Sequence, residues 1–142
     1  MRVGIKLIDH SLPLPEYQTD GSAAFDLYSR LKIIIPAKTV KLVPLNVILH
    51  LPKDHWALMA ARSSLFKKNL MLINGIGVGD YDYRGPSDEY CAALYNFSES
   101  EVVIEKGERL VQMIILPRQK AEFLEITDLT DQKSRGGFGS TG

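Results

Sequence analysis

The stretch 74–85, which reads Asn-Gly-Ile-Gly-Val-Gly-Asp-Tyr-Asp-Tyr-Arg-Gly, concentrates side chains that can move a proton and bind a planar ring. Glycine at every second position removes side chains where something approaches the backbone closely, or where φ is positive. Asp80 and Tyr83 would place a carboxylate and an aromatic face in one pocket. A solvated Gly/Asp-rich turn between two strands is the alternative, and this stretch alone does not decide between them.

Two polar side chains interrupt segments that are otherwise apolar. Asp26 lies within 23–28 and Gln112 lies within 110–116. A carboxylate or an amide in a buried strand requires hydrogen-bond partners. For Asp26, nearby backbone N–H groups and a functional site remain equally compatible with the pattern.

Arg62 and Ser63 precede the one segment with helical spacing, 63–70, for which Ser63 is the candidate N-cap. A guanidinium, a hydroxyl and the free N–H groups of a helix start can together bind a phosphate. Capped helix starts beside a basic residue are also common in proteins that bind no phosphate, so this pattern is weak by itself.

These residues must be positioned by strands, because short apolar runs and turn signals alternate along the chain. The predicted strands are 3–8, 23–28, 33–35, 40–45, 47–51, 56–61, 90–97, 102–104, 110–116 and 123–126. Such a pattern predicts one all-β domain, an antiparallel barrel or sandwich. The tail 127–142 lacks apolar periodicity, although it carries Phe138 among glycines.

The composition excludes several classes of partner. Seventeen basic and seventeen acidic side chains cancel, so no net field attracts nucleic acid or an anionic membrane. The single Cys91 cannot form an intrachain disulfide and disfavours a zinc cluster. The first residues are too polar for a signal peptide, and no apolar run is long enough to span a membrane. We therefore expect a cytoplasmic protein with no nucleic-acid or membrane partner.

Five separated segments, in their order and spacing, resemble the five motifs of the trimeric dUTP diphosphatases (dUTPases). The five segments are 23–28, 61–65, 74–85, 107–112 and 136–142. Each motif is weak alone, but five in register over nearly the whole chain are specific.

That resemblance implies a jelly-roll-like β-barrel of the dUTPase-like (β-clip) type, assembled as a homotrimer with exchanged C-terminal arms. The barrel domain would be 1–126, and the mobile arm carrying the last motif would be 127–142. The implied reaction is Mg²⁺-assisted hydrolysis of dUTP to dUMP and diphosphate at three sites between subunits. It limits uracil incorporation into DNA and supplies dUMP for dTMP synthesis.

The resemblance also assigns roles to the residues of the central stretch. Asp80 is the catalytic carboxylate that activates the water attacking the α-phosphorus. Tyr83 stacks beneath the deoxyribose and leaves no room for a 2′-hydroxyl, which excludes UTP. Asn74 and the backbone of Gly77 and Val78 read the uracil edge.

For the phosphates, the resemblance implies binding by residues of the second and fourth motifs. These residues are Arg62, Ser63, Ser64 and Gln112. Asp26 supports the site, and Mg²⁺ is held by the substrate phosphates and water, with no direct protein ligand.

On the arm, the implied contacts are an aromatic stack on the uracil and donors to the γ-phosphate. These contacts come from Phe138, Gly139, Ser140 and Thr141. Either Lys133 or Arg135 can take the γ-phosphate, and the forked donors of Arg135 favour it.

Three positions depart from the family pattern. Gly79 replaces an isoleucine or a similar residue before the catalytic acid, which we expect to loosen the hairpin. Ser64 stands where glycine is commoner. The segment 86–93 is longer than in familiar members by about three residues.

Two alternatives remain open. The dCTP deaminases share the fold and often carry Arg-Ser-Ser-Leu, but their chemistry needs a glutamate three residues before an asparagine. With Asn96 as that asparagine, the position is Ala93, which cannot transfer a proton. A catalytically silent dUTPase-like trimer that acts as a binding or regulatory module is the second alternative, although Asp80 and Tyr83 are both present.

Overall fold

The computed structural model describes residues 1–127, 133–134 and 136–137. Its eleven described strands are β1 (Gly4–Leu7), β2 (Phe25–Tyr28), β3 (Ile33–Ile35), β4 (Val40–Pro44), β5 (Val47–His50), β6 (His55–Ala61), β7 (Leu70–Leu72), β8 (Ile76–Gly79), β9 (Cys91–Asn96), β10 (Val102–Ile104) and β11 (Arg109–Pro117). One 3-10 helix, Leu65–Lys68, precedes β7. The predicted all-β class is confirmed.

Every pairing among the described strands is antiparallel, and these strands form four small sheets. Their strand orders are β2-β11-β6-β8, β4-β9-β7, β1-β5 and β10-β3. The four-stranded sheet carries four of the predicted site residues, Asp26, Gly77, Val78 and Gln112, and Arg62 and Asp80 directly follow two of its strands. Across it, Asp26 on β2 lies opposite Gln112 on β11, which lies opposite Ala60 on β6.

The core is a single apolar cluster between these sheets. Its largest fully buried members include Leu27, Ile35, Leu45, Leu94, Leu110 and Met113. Burial of each such side chain contributes about 1.5–3 kcal/mol, so the cluster holds the sheets rigidly against one another.

The predicted helix over 63–70 is wrong in extent and type. The structure has only the 3-10 helix, with Ser64 rather than Ser63 at its N-cap and no side-chain capping bond. Asn69 ends it in the left-handed conformation at φ 58°, because Leu70 already belongs to β7 and is buried there.

The predicted last strand over 123–126 is also absent from this chain. Phe123, Leu124 and Ile126 are instead exposed, at 94%, 86% and 66%. A strand needs an edge with which to pair, and none in the described chain lies beside this segment. Within the described residues, no helix has the length and apolar character needed to cross a membrane.

Candidate active site

β8 is the edge strand of the four-stranded sheet and pairs only with β6 on the described chain. Gly75 precedes it at φ +71°, so the turn that starts the strand requires glycine here. The Asn74 side-chain amide donates to the Ile76 carbonyl at 3.0 Å and orders the same turn. The other edge of β8 therefore presents backbone N–H and C=O groups that no neighbouring strand occupies.

A cavity of about 290 Å³ opens beside β8, and we call it the β8 cavity. Its lining residues are Met59, Asn74, Gly77, Val78, Asp80, Tyr83, Tyr90 and Cys91. The structure thus brings together every residue of the central stretch that the sequence singled out for catalysis and base or sugar recognition. It adds Met59, Tyr90 and Cys91, which no sequence pattern had indicated.

The glycines of β8 make room for side chains of the protein itself. A Cβ on Gly77 would lie 2.8 Å from Met59 Cε, and a Cβ on Gly79 would lie 2.3 Å from Tyr90 Oη. Met59 and Tyr90 therefore fill the space that these glycines leave open, and they form the floor of the β8 cavity. Gly79 is tightly packed by Tyr90, contrary to the expectation of a loosened hairpin.

Both the hydroxyl and the ring of Tyr83 contact neighbouring residues. Its hydroxyl donates to the Glu89 carbonyl at 3.0 Å, and its ring packs edge-on against Tyr90 at 5.3 Å between centroids. Tyr83 remains 39% exposed and lines the β8 cavity. Burial raises the pKa of Tyr90 to about 12, so this neighbour is neutral at physiological pH.

A second cavity, of about 400 Å³, lies beside β2 and β11, and we call it the Asp26 cavity. It is lined by Gln18, Ser22, Ala23, Ala24, Asp26, Ala60, Arg62, Ser63, Gln112 and Ile114. The predicted phosphate-binding residues Arg62, Ser63 and Gln112 meet here. Ser64 is exposed and lines an adjoining cavity with Arg62 and two lysines.

Asp26 is a buried carboxylate paired with two guanidinium groups. One oxygen lies 2.8 Å from Arg62 Nε, and the other lies 3.2 Å from Arg109 Nη1. Arg109 Nη1 also donates to Gln18 Oε1 at 2.8 Å. The side-chain partners of Asp26 are thus two guanidinium groups and not the nearby backbone N–H groups.

Sequence reasoning did not identify Arg109 or Gln18 as parts of this site. Arg109 lies inside the fourth motif, three residues before Gln112. Its place in that motif can be read from the sequence, but its ion pair with Asp26 cannot. The antiparallel register of β2 and β11 aligns Gln112 with Asp26 and so brings the start of β11 to the same carboxylate.

We predict that Asp26→Ala lowers the free energy of unfolding, because Arg62 and Arg109 lose the carboxylate with which each forms an ion pair. Their side chains stay 29% and 38% exposed, so water compensates part of the loss and we expect about 1–3 kcal/mol. Urea denaturation measures this value. The matched control is Asp20→Ala on the exposed loop, and an equal effect of both variants would contradict the prediction.

The two cavities share no lining residue. Met59 lines the β8 cavity, whereas Ala60, the next residue of β6, lines the Asp26 cavity. Successive residues of a strand point to opposite faces. One chain therefore separates the Asp80 group from the Arg62 group.

The arm contributes little that the structure describes. Lys133 is exposed and lines neither cavity. The other predicted arm residues, Arg135, Phe138, Gly139, Ser140 and Thr141, lie outside the described residues.

Comparisons with known proteins agree with this architecture. The family model described as dUTPase matches residues 10–142. The deoxyuridine 5'-triphosphate nucleotidohydrolase of Hydrogenobaculum sp. is 39% identical over 146 residues, covering 100% of this chain and 99% of the relative. That of Helicobacter pylori (strain ATCC 700392 / 26695) is 37% identical over 145 residues, covering 100% and 97%.

A solved structure extends the likeness to three dimensions. The crystal structure of dUTPase from Streptococcus mutans superposes with a TM-score of 0.78 at 32% identity, covering 84% of this chain and 99% of that one. The chain is thus an all-β, barrel-like hydrolase of nucleotide metabolism. It belongs to the dUTPase family, and the predicted enzyme class, dUTP diphosphatase, is confirmed.

Proposed function

We propose that this chain hydrolyses dUTP to dUMP and diphosphate, with Asp80 as the base that activates water for attack on the α-phosphorus. The observation that carries this proposal is the position of Asp80 at the end of β8, in one cavity with Tyr83 and the free strand edge. Its carboxylate is exposed and makes no side-chain hydrogen bond or ion pair within the described chain. It is therefore free to accept a proton.

The base and the sugar bind in the β8 cavity in this proposal. The unpaired edge of β8 at Gly77 and Val78, with the side chain of Asn74, offers donors and acceptors to the uracil edge. Such groups discriminate strongly, because a wrong base leaves them without partners. The ring of Tyr83 lies under the deoxyribose and leaves no room for a 2′-hydroxyl.

The triphosphate binds the groups of the Asp26 cavity. Asp26 holds Arg62 through Nε, and the Arg109 carbonyl accepts from Nη1 at 3.3 Å, so Nη2 is the nitrogen left for phosphate oxygens. Ser63, Ser64 and Gln112 add neutral donors. Asp26 and Arg109 act through Arg62 and do not themselves contact substrate.

Because these two groups line separate cavities of one chain, we propose that each site forms between subunits of a homotrimer. Exposed apolar side chains support the assembly: Ile76 and Val78 on β8 are 49% and 62% exposed, and Phe123 and Leu124 are exposed after β11. Clustered apolar exposure of this kind is typical of an interface. The division into a barrel at 1–126 and an exchanged arm at 127–142 belongs to the same proposal.

The arm then closes over a neighbouring site. In this proposal Phe138 stacks on the uracil, and the γ-phosphate is taken by Arg135 or Lys133. The remaining arm contacts come from Gly139, Ser140 and Thr141.

The donors present suit a Mg²⁺ ion that arrives with the nucleotide. No group of three or more His, Cys, Asp or Glu side chains that could hold a metal occurs in the described part of the chain, and Asp26 is engaged by two arginines. Mg²⁺ readily takes substrate phosphates and water as ligands. When bound, it neutralises charge on the triphosphate.

Diphosphate release from dUTP, UTP, dTTP and dCTP, each with and without Mg²⁺, tests this function. We expect rapid release from dUTP with Mg²⁺, much slower release from the other three, and no ammonia from dCTP. Equal release from UTP, or no release from dUTP, would overturn the proposal.

A further inference from the structure

The residues 85–90, which we call the support segment, form a compact unit between the central stretch and β9. The Gly85 N–H donates to Asp88 Oδ2, and the Asp88 N–H donates back to the Gly85 carbonyl at 3.1 Å. These bonds close a tight turn. Glu89 and Tyr90 directly follow this turn.

Glu89 is anchored by a forked ion pair to a residue far away in the sequence. Arg30 donates from Nε at 2.8 Å and from Nη2 at 2.9 Å to the two carboxylate oxygens. The backbone N–H of Asn46 donates to the same carboxylate at 2.9 Å. The side chains of Arg30 and Glu89 are only 24% and 15% exposed, so this bidentate pair is well shielded from water and geometrically specific.

The backbone of Tyr90 is fixed to the chain between β4 and β5. Its N–H donates to the Val47 carbonyl at 3.0 Å, and its carbonyl accepts from the Leu45 N–H at 2.9 Å. Arg30 joins the same region, since its own N–H donates to the Pro44 carbonyl at 2.8 Å. The support segment is thus attached to the core independently of β8.

Tyr83 is attached to this segment through both of its side-chain contacts. Its hydroxyl bonds the Glu89 carbonyl, and its ring packs edge-on against Tyr90. Tyr90 in turn lies against Gly79, where a Cβ would come within 2.7 Å of its Cε1 atom. The support segment therefore contacts the sugar-binding ring and the residue immediately before Asp80.

We infer that the support segment, clamped by Arg30, positions Tyr83 and so determines the selectivity for deoxyribose over ribose. The inference rests on the proposed role of Tyr83 beneath the sugar. Arg30 is a positioning residue: it touches neither the β8 cavity nor the Asp26 cavity and acts through Glu89. The unusual Gly79 belongs to the same arrangement, because only glycine leaves room for Tyr90.

The principal test replaces Arg30 by methionine, which keeps an unbranched side chain but removes the guanidinium group and its two hydrogen bonds to Glu89. We expect the ratio of kcat/KM for dUTP to that for UTP to fall about tenfold, as the loss of a charge-assisted hydrogen-bond pair implies. The matched control is Lys32→Met, which removes an exposed cation paired with Glu105 away from the segment. An unchanged ratio in a folded Arg30→Met variant overturns the inference.

A second pair of variants tests the packing of Tyr90 on Gly79 without touching Arg30. Gly79→Ala should lower both turnover and the dUTP preference, because the added Cβ displaces the Tyr90 ring. The double variant Gly79→Ala/Tyr90→Leu should recover turnover while the preference stays low, because leucine leaves space but offers no ring edge to Tyr83. Parent-like preference in Gly79→Ala overturns the inference.

A readout independent of activity separates this inference from the proposed function. Nitration of Tyr83 by tetranitromethane, followed by peptide mass spectrometry, should be several-fold faster in Arg30→Met than in the parent and unchanged in Lys32→Met. Absence of dUTP hydrolysis by the parent would refute the proposed function alone. Equal nitration rates in parent and Arg30→Met would refute the support role alone.

Discussion

Replacing Asp80 by asparagine is expected to lower kcat for dUTP by about 10²–10⁴-fold, the range that a positioned general base supplies. Asparagine keeps the size and the polar character of the side chain but cannot accept the proton of the attacking water. Because Asp80 is exposed and forms no side-chain ion pair within the described chain, the substitution leaves the fold intact. Single-turnover diphosphate release gives the rate of the chemical step.

Binding must be measured in the same variant. The dissociation constant for dUTP should stay within about threefold of the parent value, since the contacts to base, sugar and phosphates remain. Asp82→Asn is the matched control, because Asp82 is an exposed acid two residues away that does not line the β8 cavity. If Asp80→Asn turned over dUTP as fast as the parent, another group would be the base.

The second large effect is recovery of activity in mixed trimers. Asp80→Asn removes the base from the β8 cavity, and Arg62→Gln removes a phosphate-binding cation from the Asp26 cavity. Each variant alone should be nearly inactive. Co-refolded in equal amounts, they should regain activity at about one quarter of the sites, because random assembly then places an intact β8 cavity beside an intact Asp26 cavity.

Native mass spectrometry shows whether mixed trimers are present. The activity control is a mixture of Asp80→Asn with the double variant Asp80→Asn/Arg62→Gln, which contains no intact Asp80 and should stay inactive. The physical basis is that the two cavities share no lining residue, so Asp80 and Arg62 of one chain lie in different cavities. Mixed trimers without recovered activity would mean that each site is completed within a single subunit.

The two errors in secondary structure have the same cause, which is pairing between distant parts of the chain. The apolar spacing of Leu65, Phe66 and Leu70 is typical of a helix, but Leu70 is withdrawn from it by the pairing of β7 with β9. The segment 123–126 has the composition of a strand and finds no edge within the part of the chain that the structure describes. The local pattern of apolar residues predicts which secondary structure a segment favours, whereas the strand available for pairing decides which one it forms.

By itself, the sequence determined the fold class, the family and part of the lining of both cavities, because these follow from residue types at fixed spacing. Only the tertiary structure decided which side chains meet. The β2–β11 pairing brought Arg109 to Asp26, and the β11–β6 pairing brought Arg62 there. The support segment brought Tyr90 against Gly79. The alternation of a strand gives the face of each residue, but strand register and the return path of a loop depend on non-local packing, which no local pattern encodes.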